Sequence, residues 1–265
     1  MLQSDKSAKR LPYYFGAAIA SKYKERLNRI CEDAYRYKRL IKGYGIVAVA
    51  DGLGSCLHSA LGAKTAVYEI VESADSLIRN IQEKVDLINT VKTLMRNGRN
   101  ALKCKAEELG CDINDLACTA IIVLSHKDNL VVGHIGDGAV VARLSKGLEI
   151  VSQPGKSEYA NLVVPLTSPD WENYLRINHV PKVECFAVFT DGCQNAVLKR
   201  LKGTFSPYPP FFNELFDYAL RLKSIRKGNR DIRDMLKAPG KFDRFDDSTM
   251  VVGVLKKISN NTHYK

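Results

Sequence analysis

The seven cysteines of this chain form no C-x-x-C pair, their odd number does not suit a disulfide framework, and clusters of histidine and cysteine at zinc spacing are absent. A structural zinc site and an extracellular disulfide scaffold are thereby excluded, and a reducing cytosol fits best. No stretch approaches the roughly 20 consecutive apolar residues needed to span a bilayer, and Met1 to Arg10 is polar rather than a charged-then-apolar leader. The chain therefore reads as soluble, cytoplasmic and without a membrane partner. Gly62-Ala63-Lys64-Thr65 and Gly155-Lys156-Ser157 do not complete G-x-x-x-x-G-K-[ST], and both a Cys-x5-Arg loop and a Gly-x-Ser-x-Gly elbow are missing. A nucleotide-binding P-loop and two common nucleophile frameworks drop out with them. There is no internal repeat, no low-complexity linker and a single tryptophan, Trp171.

Acidic residues are the minority, 29 against 40 basic, giving a net charge of +11 over 265 residues. The excess is clustered: Lys22, Lys24, Arg26, Arg29, Arg36, Lys38, Arg39 and Lys42 form one block, and Arg221 to Lys241 another. Such blocks attract polyanions, whether nucleic acid, an anionic membrane or an acidic phosphorylated protein, and they also occur as plain solvated faces. They lack the aromatic interleaving of a known RNA module, so nucleic acid is not expected as a partner.

With 45% hydrophobic residues the chain can build one substantial core, and a single domain over residues 1–265 is expected. Gly45 to Ala50 is an unbroken apolar run that predicts a strand buried on both faces. Ser55 is a suitable N-cap for a helix towards Ser73, and a second helical region covers about Ile78 to Leu109. Cys118 to Leu124, Leu130 to Ile135, Ala139 to Leu144 and Leu148 to Val151 are β-rich runs separated by turn signals, which predicts an antiparallel meander. Residues 152–183, rich in proline, look like a long flap-like excursion. A strand over Cys185 to Thr190, helical segments near 193–201, 210–224 and 229–237, and a last strand, Thr249 to Leu255, complete the pattern.

Three apolar runs lead directly into Asp-Gly: Val47 to Asp51-Gly52, Val131 to Asp137-Gly138, and Ala187 to Asp191-Gly192. An acidic pair, Asp246-Asp247, opens the last strand. Asp-Gly alone is an ordinary turn dipeptide. Three such junctions with a fourth acidic pair are more specific, because carboxylates gathered at one end of a sheet repel unless cations neutralise them. Oxygen-only donors select hard divalent ions, Mg²⁺ or Mn²⁺, and each glycine permits a sharp backbone turn.

The order Glu32-Asp33-Ala34, Ala50-Asp51-Gly52-Leu53-Gly54-Ser55, His134-Ile135-Gly136-Asp137-Gly138, Thr190-Asp191-Gly192 and Asp246-Asp247-Ser248-Thr249 resembles the metal-dependent protein phosphatase family of type 2C. The likeness spans about residues 15–255. It is closest to the compact bacterial branch, where a segment like Ser157-Glu158-Tyr159-Ala160-Asn161, ending in Leu166-Thr167-Ser168, follows the central strands. The resemblance implies an α+β fold, a four-layer α-β-β-α sandwich of two mainly antiparallel sheets flanked by helices. It implies a signalling hydrolase, probing phosphoproteins as a monomer and cleaving phosphoserine or phosphothreonine with a hydroxide bridging two Mn²⁺ or Mg²⁺ ions, with a third ion in bacterial members. Carried over, Asp51 bridges the two ions, the Gly52 carbonyl ligates one, Asp191 and Asp246 complete the centre, and Glu32 and Asp33 hold metal-bound waters. Asp137 with Asp191 supports the third ion, and Asp247 stands behind Asp246.

Two family positions differ. Leu53 stands where many eukaryotic relatives have a histidine as candidate general acid, and Asn28 stands where the phosphate-binding arginine usually lies, so Arg29 or Arg26 would have to replace it. His134 in its apolar strand, His58, and the cysteines Cys56 and Cys193 are read as packing residues. Two alternatives are a catalytically inactive module binding a phosphoprotein or nucleic acid, and a phosphatase for a small metabolite. Retention of all the matched acidic positions favours an enzyme.

Overall fold

The computed structural model describes residues 11–80, 86–155, 163–201, 204–240, 242 and 245–256. In chain order it begins with β1 (Tyr13–Ile19), α1 (Lys22–Arg26), β2 (Ala34–Arg39), β3 (Tyr44–Ala50), α2 (Ser59–Asn80) and α3 (Leu87–Leu109). There follow β4 (Ala120–His126), β5 (Asn129–Ile135), β6 (Ala139–Leu144), β7 (Gly147–Ser152), α4 (Trp171–Tyr174), β8 (Arg176–Val180) and β9 (Val183–Phe189). The remainder is α5 (Gln194–Val197), β10 (Leu198–Leu201), β11 (Thr204–Pro207), α6 (Pro209–Arg221), α7 (Ile225–Leu236) and β12 (Ser248–Val254). No described helix is long and apolar enough to cross a membrane.

The strands form two five-stranded antiparallel sheets, ordered β2-β3-β4-β5-β8 and β1-β12-β9-β6-β7, plus a β10-β11 hairpin. Helices α2 and α3 cover the outer face of the first sheet, and α6 and α7 that of the second. Alternation along each strand explains this layering. In β3, Ile46, Ala48 and Ala50 face the α2-α3 layer, whereas Val47 and Val49 enter the space between the sheets, where Ile121, Val123, Phe186, Val188 and Val251 meet them. The unbroken apolar run is thus two buried faces read alternately, as expected. Between the sheets the Tyr14 hydroxyl and Ser125 Oγ share a hydrogen bond of 2.8 Å, and the Tyr35 hydroxyl donates to the Gly16 carbonyl at 3.0 Å.

Four elements differ from the sequence reading. The helix after β3 starts at Ser59 rather than at Ser55, because His58 N donates to the Asp115 carbonyl and holds the preceding loop away from helical geometry; it then continues well past Ser73. The four central runs are not one meander: β4 and β5 belong to the first sheet and β6 and β7 to the second, so Gly136-Asp137-Gly138 is a crossing between sheets. Gly136, at φ 109°, supplies the backbone turn that the crossing needs. The end of the excursion is β8, an edge strand paired with β5. Residues 198–201, expected as helix, pair with β11 instead. The Ser157 to Asn161 segment quoted for the family likeness lies outside the described residues.

Candidate metal centre

The acidic loops meet at one end of the sandwich, and each sheet contributes. Asp51 follows β3 and Asp137 follows β5 in the first sheet; Asp191 follows β9 and Asp246 precedes β12 in the second. Carboxylate oxygens of Asp51, Asp137 and Asp191 lie within 4.8 Å of one another. Asp246 is electrostatically coupled to both Asp51 and Asp191. Asp51 is fixed by its own backbone: its N–H donates to Thr119 Oγ1 at 2.9 Å and its carbonyl accepts from Thr119 N at 2.8 Å. The glycines beside the ligands are required by close approach. A Cβ on Gly52 would stand 2.7 Å from the Ser59 carbonyl oxygen and 2.9 Å from that of Glu32, and one on Gly192 only 2.0 Å from the Asp247 carbonyl oxygen.

Asp33 is buried beneath this cluster. Its Oδ2 accepts from Thr190 Oγ1 at 2.8 Å, and Thr190 Oγ1 in turn accepts from Thr249 N at 3.0 Å, which ties Asp33 to the second sheet. Asp33 Oδ1 and Asp191 Oδ1 are buried with no hydrogen-bond partner among the described residues. Orphaned carboxylate oxygens beside three convergent aspartates have no protein donor to satisfy them, and hard divalent cations match this oxygen donor set.

Electrostatics point the same way. Burial, and then the charges of Asp33, Asp191 and Asp246, hold the Asp51 carboxyl well above the usual carboxylate range. Burial also raises Asp191 and Asp137. Asp33 is pushed up to about 7 and Asp246 to about 6, burial being the largest cause in both. Because these two folded-state values exceed the ordinary 3.8, the folded protein holds more protons than the unfolded chain between about pH 4 and 7. The associated stability is complete below about pH 4 and is lost as pH rises through 6 to 7. The melting temperature of EDTA-treated protein is therefore expected to fall between pH 5 and pH 8. Mn²⁺, which must displace those protons, should bind more tightly across the same interval. Calorimetric titration at pH 5.5, 6.5 and 7.5, with proton release followed in two buffers, checks both expectations.

Asp247 is turned away from the cluster. Its Oδ1 accepts from Ser21 N at 2.8 Å, and its Oδ2 accepts from Lys24 Nζ at 2.8 Å and Glu32 N at 2.6 Å. Asp246 is left facing the other aspartates, with its Oδ1 accepting from Asp247 N at 2.8 Å. Glu32 is placed on Lys24, whose ammonium donates to Glu32 Oε2 at 2.7 Å, at the rim rather than in the tight cluster. Arg29 and Arg26 are exposed and form no ion pair among the described residues. The cation that does stand at the acidic centre is Lys24, which sequence reasoning passed over: it was one of eight basic residues, distinguished only by Ser21, whose Oγ accepts from Lys24 N and caps α1. Arg176 was also missed. Its Nη2 donates to the Gly136 carbonyl at 2.7 Å, which brings its charge beside Asp137. His134 is buried, 2.8 Å through Nδ1 from Ser152 Oγ, and burial holds it well below its ordinary pKa, so it is a neutral packing residue. Cys193 is likewise buried, and Cys56 and His58 are half-buried outside the aspartate cluster.

Residues 22–237 match the family model described as Protein phosphatase 2C. The chain belongs to that family. It is 31% identical over 208 residues to serine/threonine-protein phosphatase 3 of Escherichia coli (strain K12), an alignment covering 76% of this chain and 79% of the relative. The protein phosphatase 2C fold is equally evident in solved structures. The Staphylococcus aureus serine/threonine phosphatase Stp1 superposes with a TM-score of 0.62 at 14% identity, covering 94% of this chain and 96% of Stp1. The catalytic domain of the phosphatase PstP, solved with two manganese ions, gives a TM-score of 0.60 at 17% identity over 92% of this chain and 97% of that domain. As a protein phosphatase 2C member the chain is a metal-dependent serine/threonine protein phosphatase, with phosphoproteins as its substrate class. The four-layer sandwich expected from the sequence is the fold observed.

Proposed function

We propose that this phosphatase, a single cytoplasmic domain acting as a monomer, removes phosphate from phosphoserine and phosphothreonine using two Mn²⁺ or Mg²⁺ ions held by Asp51, the Gly52 carbonyl, Asp191 and Asp246. The convergence of Asp51, Asp191 and Asp137 within 4.8 Å, with Asp246 close enough to act on the charges of Asp51 and Asp191, carries the reading. When bound, such ions acidify a water for in-line attack and neutralise charge on the phosphoryl oxygens. The protein's own contribution is to orient and to supply charge. Asp33, through its orphaned Oδ1, and Glu32 position water at the floor and rim. Asp137 with Asp191 would hold a third ion. Lys24 keeps a fixed positive charge at the edge of the centre: burial would lower its pKa, but the hydrogen bonds to Asp247 and Glu32 more than offset this. That charge stands near enough to Asp246 to act on it and would help to offset charge on a phosphoryl oxygen.

The test is hydrolysis of p-nitrophenyl phosphate and of a phosphothreonine peptide in Mn²⁺, Mg²⁺ or EDTA, for the wild type and Asp191→Asn. Turnover that requires metal and falls by at least about 10²-fold in the variant is expected. A folded, metal-loaded wild type without turnover would move the assignment to a phosphoprotein-binding module.

A further inference from the structure

The segment from Ser21 to Cys31 is unusual for a surface strip beside an acidic site. Helix α1 buries none of its five residues. Lys22, Arg26 and Arg29 are exposed, and none forms an ion pair among the described residues, while Glu25 is the one carboxylate of the segment. Leu27 and Ile30 are 50% and 65% exposed. One further apolar side chain is exposed close to metal-site residues in the chain: Leu57, 79% exposed, in the loop after Asp51-Gly52. The strip adjoins the centre directly, since Lys24 and Glu32 N are hydrogen-bonded to Asp247.

Helical geometry sets the spacing. Residues two positions from Lys24 are rotated by about 200°, so Lys22 and Arg26 lie on the far side of α1 from the ammonium that faces the centre. Lys22 in fact shares a shallow depression with Leu236 and Lys237 at the end of α7. The width of a helix, about 10 Å, is spanned by roughly three residues of extended chain. A substrate segment whose phosphate enters the metal centre would thus bring its third neighbour onto these cations.

We propose that the Lys22 to Ile30 strip, with Leu57, is a docking surface for the segment around the phosphoresidue, and that it selects phosphoproteins carrying aspartate or glutamate about three positions away. The inference rests on the phosphatase reading and names its substrate class. Charge complementarity carries it: cations without an ion pair among the described residues meet side-chain carboxylates, while the interspersed exposed side chains are Leu27, Ile30 and one aromatic, Tyr23, short of the series of stacking aromatics that single-stranded nucleic acid uses. A phosphorylated substrate approaching a centre built of carboxylates also gains from a positive rim that attracts it first.

The experiment compares two phosphothreonine peptides, one with glutamate and one with lysine at the three positions on either side, at low and high salt. The full chain is used as wild type, as Lys22→Glu/Arg26→Glu/Arg29→Glu, and as the milder Lys22→Gln/Arg26→Gln/Arg29→Gln. Fluorescence anisotropy in EDTA reads binding, kcat/KM in Mn²⁺ reads turnover, and an RNA oligonucleotide of equal charge is titrated in parallel. The expected result is a preference for the acidic peptide of about tenfold in both readouts at low salt. It should shrink at high salt, fall to near one in the glutamine variant and invert in the glutamate variant. Turnover with equal preference for the two peptides, or RNA binding tighter than the acidic peptide, would overturn the docking surface while leaving the phosphatase intact. Preferential binding without any turnover would uphold the surface and remove the phosphatase reading instead.

Discussion

Asp51→Asn is expected to lower kcat/KM by at least about 10³-fold, equivalent to about 4 kcal/mol of barrier, and at the same time to make the metal-free protein more resistant to heat. The two effects share one cause. Asp51 stands among Asp33, Asp191 and Asp246, with burial and their charges raising its pKa. Its ionised form is therefore opposed by the fold and favoured only when cations are present. Asparagine keeps the shape, including the backbone pair with Thr119, yet removes the charge. In EDTA at pH 7.5 the variant should melt about 2–4 °C higher, the change that about 1 kcal/mol produces in a domain of this size. Adding Mn²⁺ should raise the melting temperature of the wild type well above that of the variant. Calorimetric melting with and without Mn²⁺, beside the activity assay, checks the crossing; a variant less stable than wild type in EDTA would show that the aspartates do not repel one another.

Lys24→Met should have the largest effect on stability, a loss of about 3 kcal/mol. The ammonium is the shared partner of Glu32 and Asp247, and the Asp247 side chain is only 1% exposed. Methionine fills the same length without charge and leaves that carboxylate without a cation, on the backbone donors Ser21 N and Glu32 N. The consequence reaches catalysis, because the same contacts fix the loop that carries Asp246. A raised KM for p-nitrophenyl phosphate with a smaller change in kcat would follow from loss of the phosphoryl contact. Lys24→Met/Asp247→Asn should recover most of the lost stability but not the KM, since only the uncompensated charge has been cured. Urea unfolding of the wild type and the two variants, paired with steady-state kinetics, separates the two roles.

Much of this was legible in the sequence for a simple reason. A strand buried on both faces has no polar alternation to obscure it, so β3, β9 and β12 stand out as apolar runs; Asp-Gly marks the ends of β3 and β9, and Asp246-Asp247 the start of β12. What the runs cannot say is which sheet they join. The chain crosses from one sheet to the other at Gly136-Asp137-Gly138, and this looks locally like any hairpin turn. The start of α2 was misplaced because Ser55 is a good cap in isolation, whereas the position is set by His58 bonding to Asp115, a contact between distant residues. β10 was read as helix because a short edge hairpin has little pattern of its own. Lys24 was hidden among its neighbours: its role depends on Asp247, more than two hundred residues away. Asp51, Asp137 and Asp191 stand out from chain-local signals alone, and the structure brings those three together. The family likeness ranked Asp246 before Asp247, and the hydrogen bonds on Asp247 give that order a physical basis.

β12, the last described strand, is not at an edge. It lies second in its sheet between β1 and β9, and the loop that opens it delivers Asp246 and Asp247. A chain still being synthesised therefore carries Asp51, Asp137 and Asp191 long before it has either the strand that closes the gap between β1 and β9 or the carboxylates that complete the cluster. On the proposed ligand set, full metal binding and turnover are therefore expected only of a chain that includes residues 246–254: a clipped copy lacking them keeps Asp51, Asp137 and Asp191 and should bind Mn²⁺ more weakly and lose turnover.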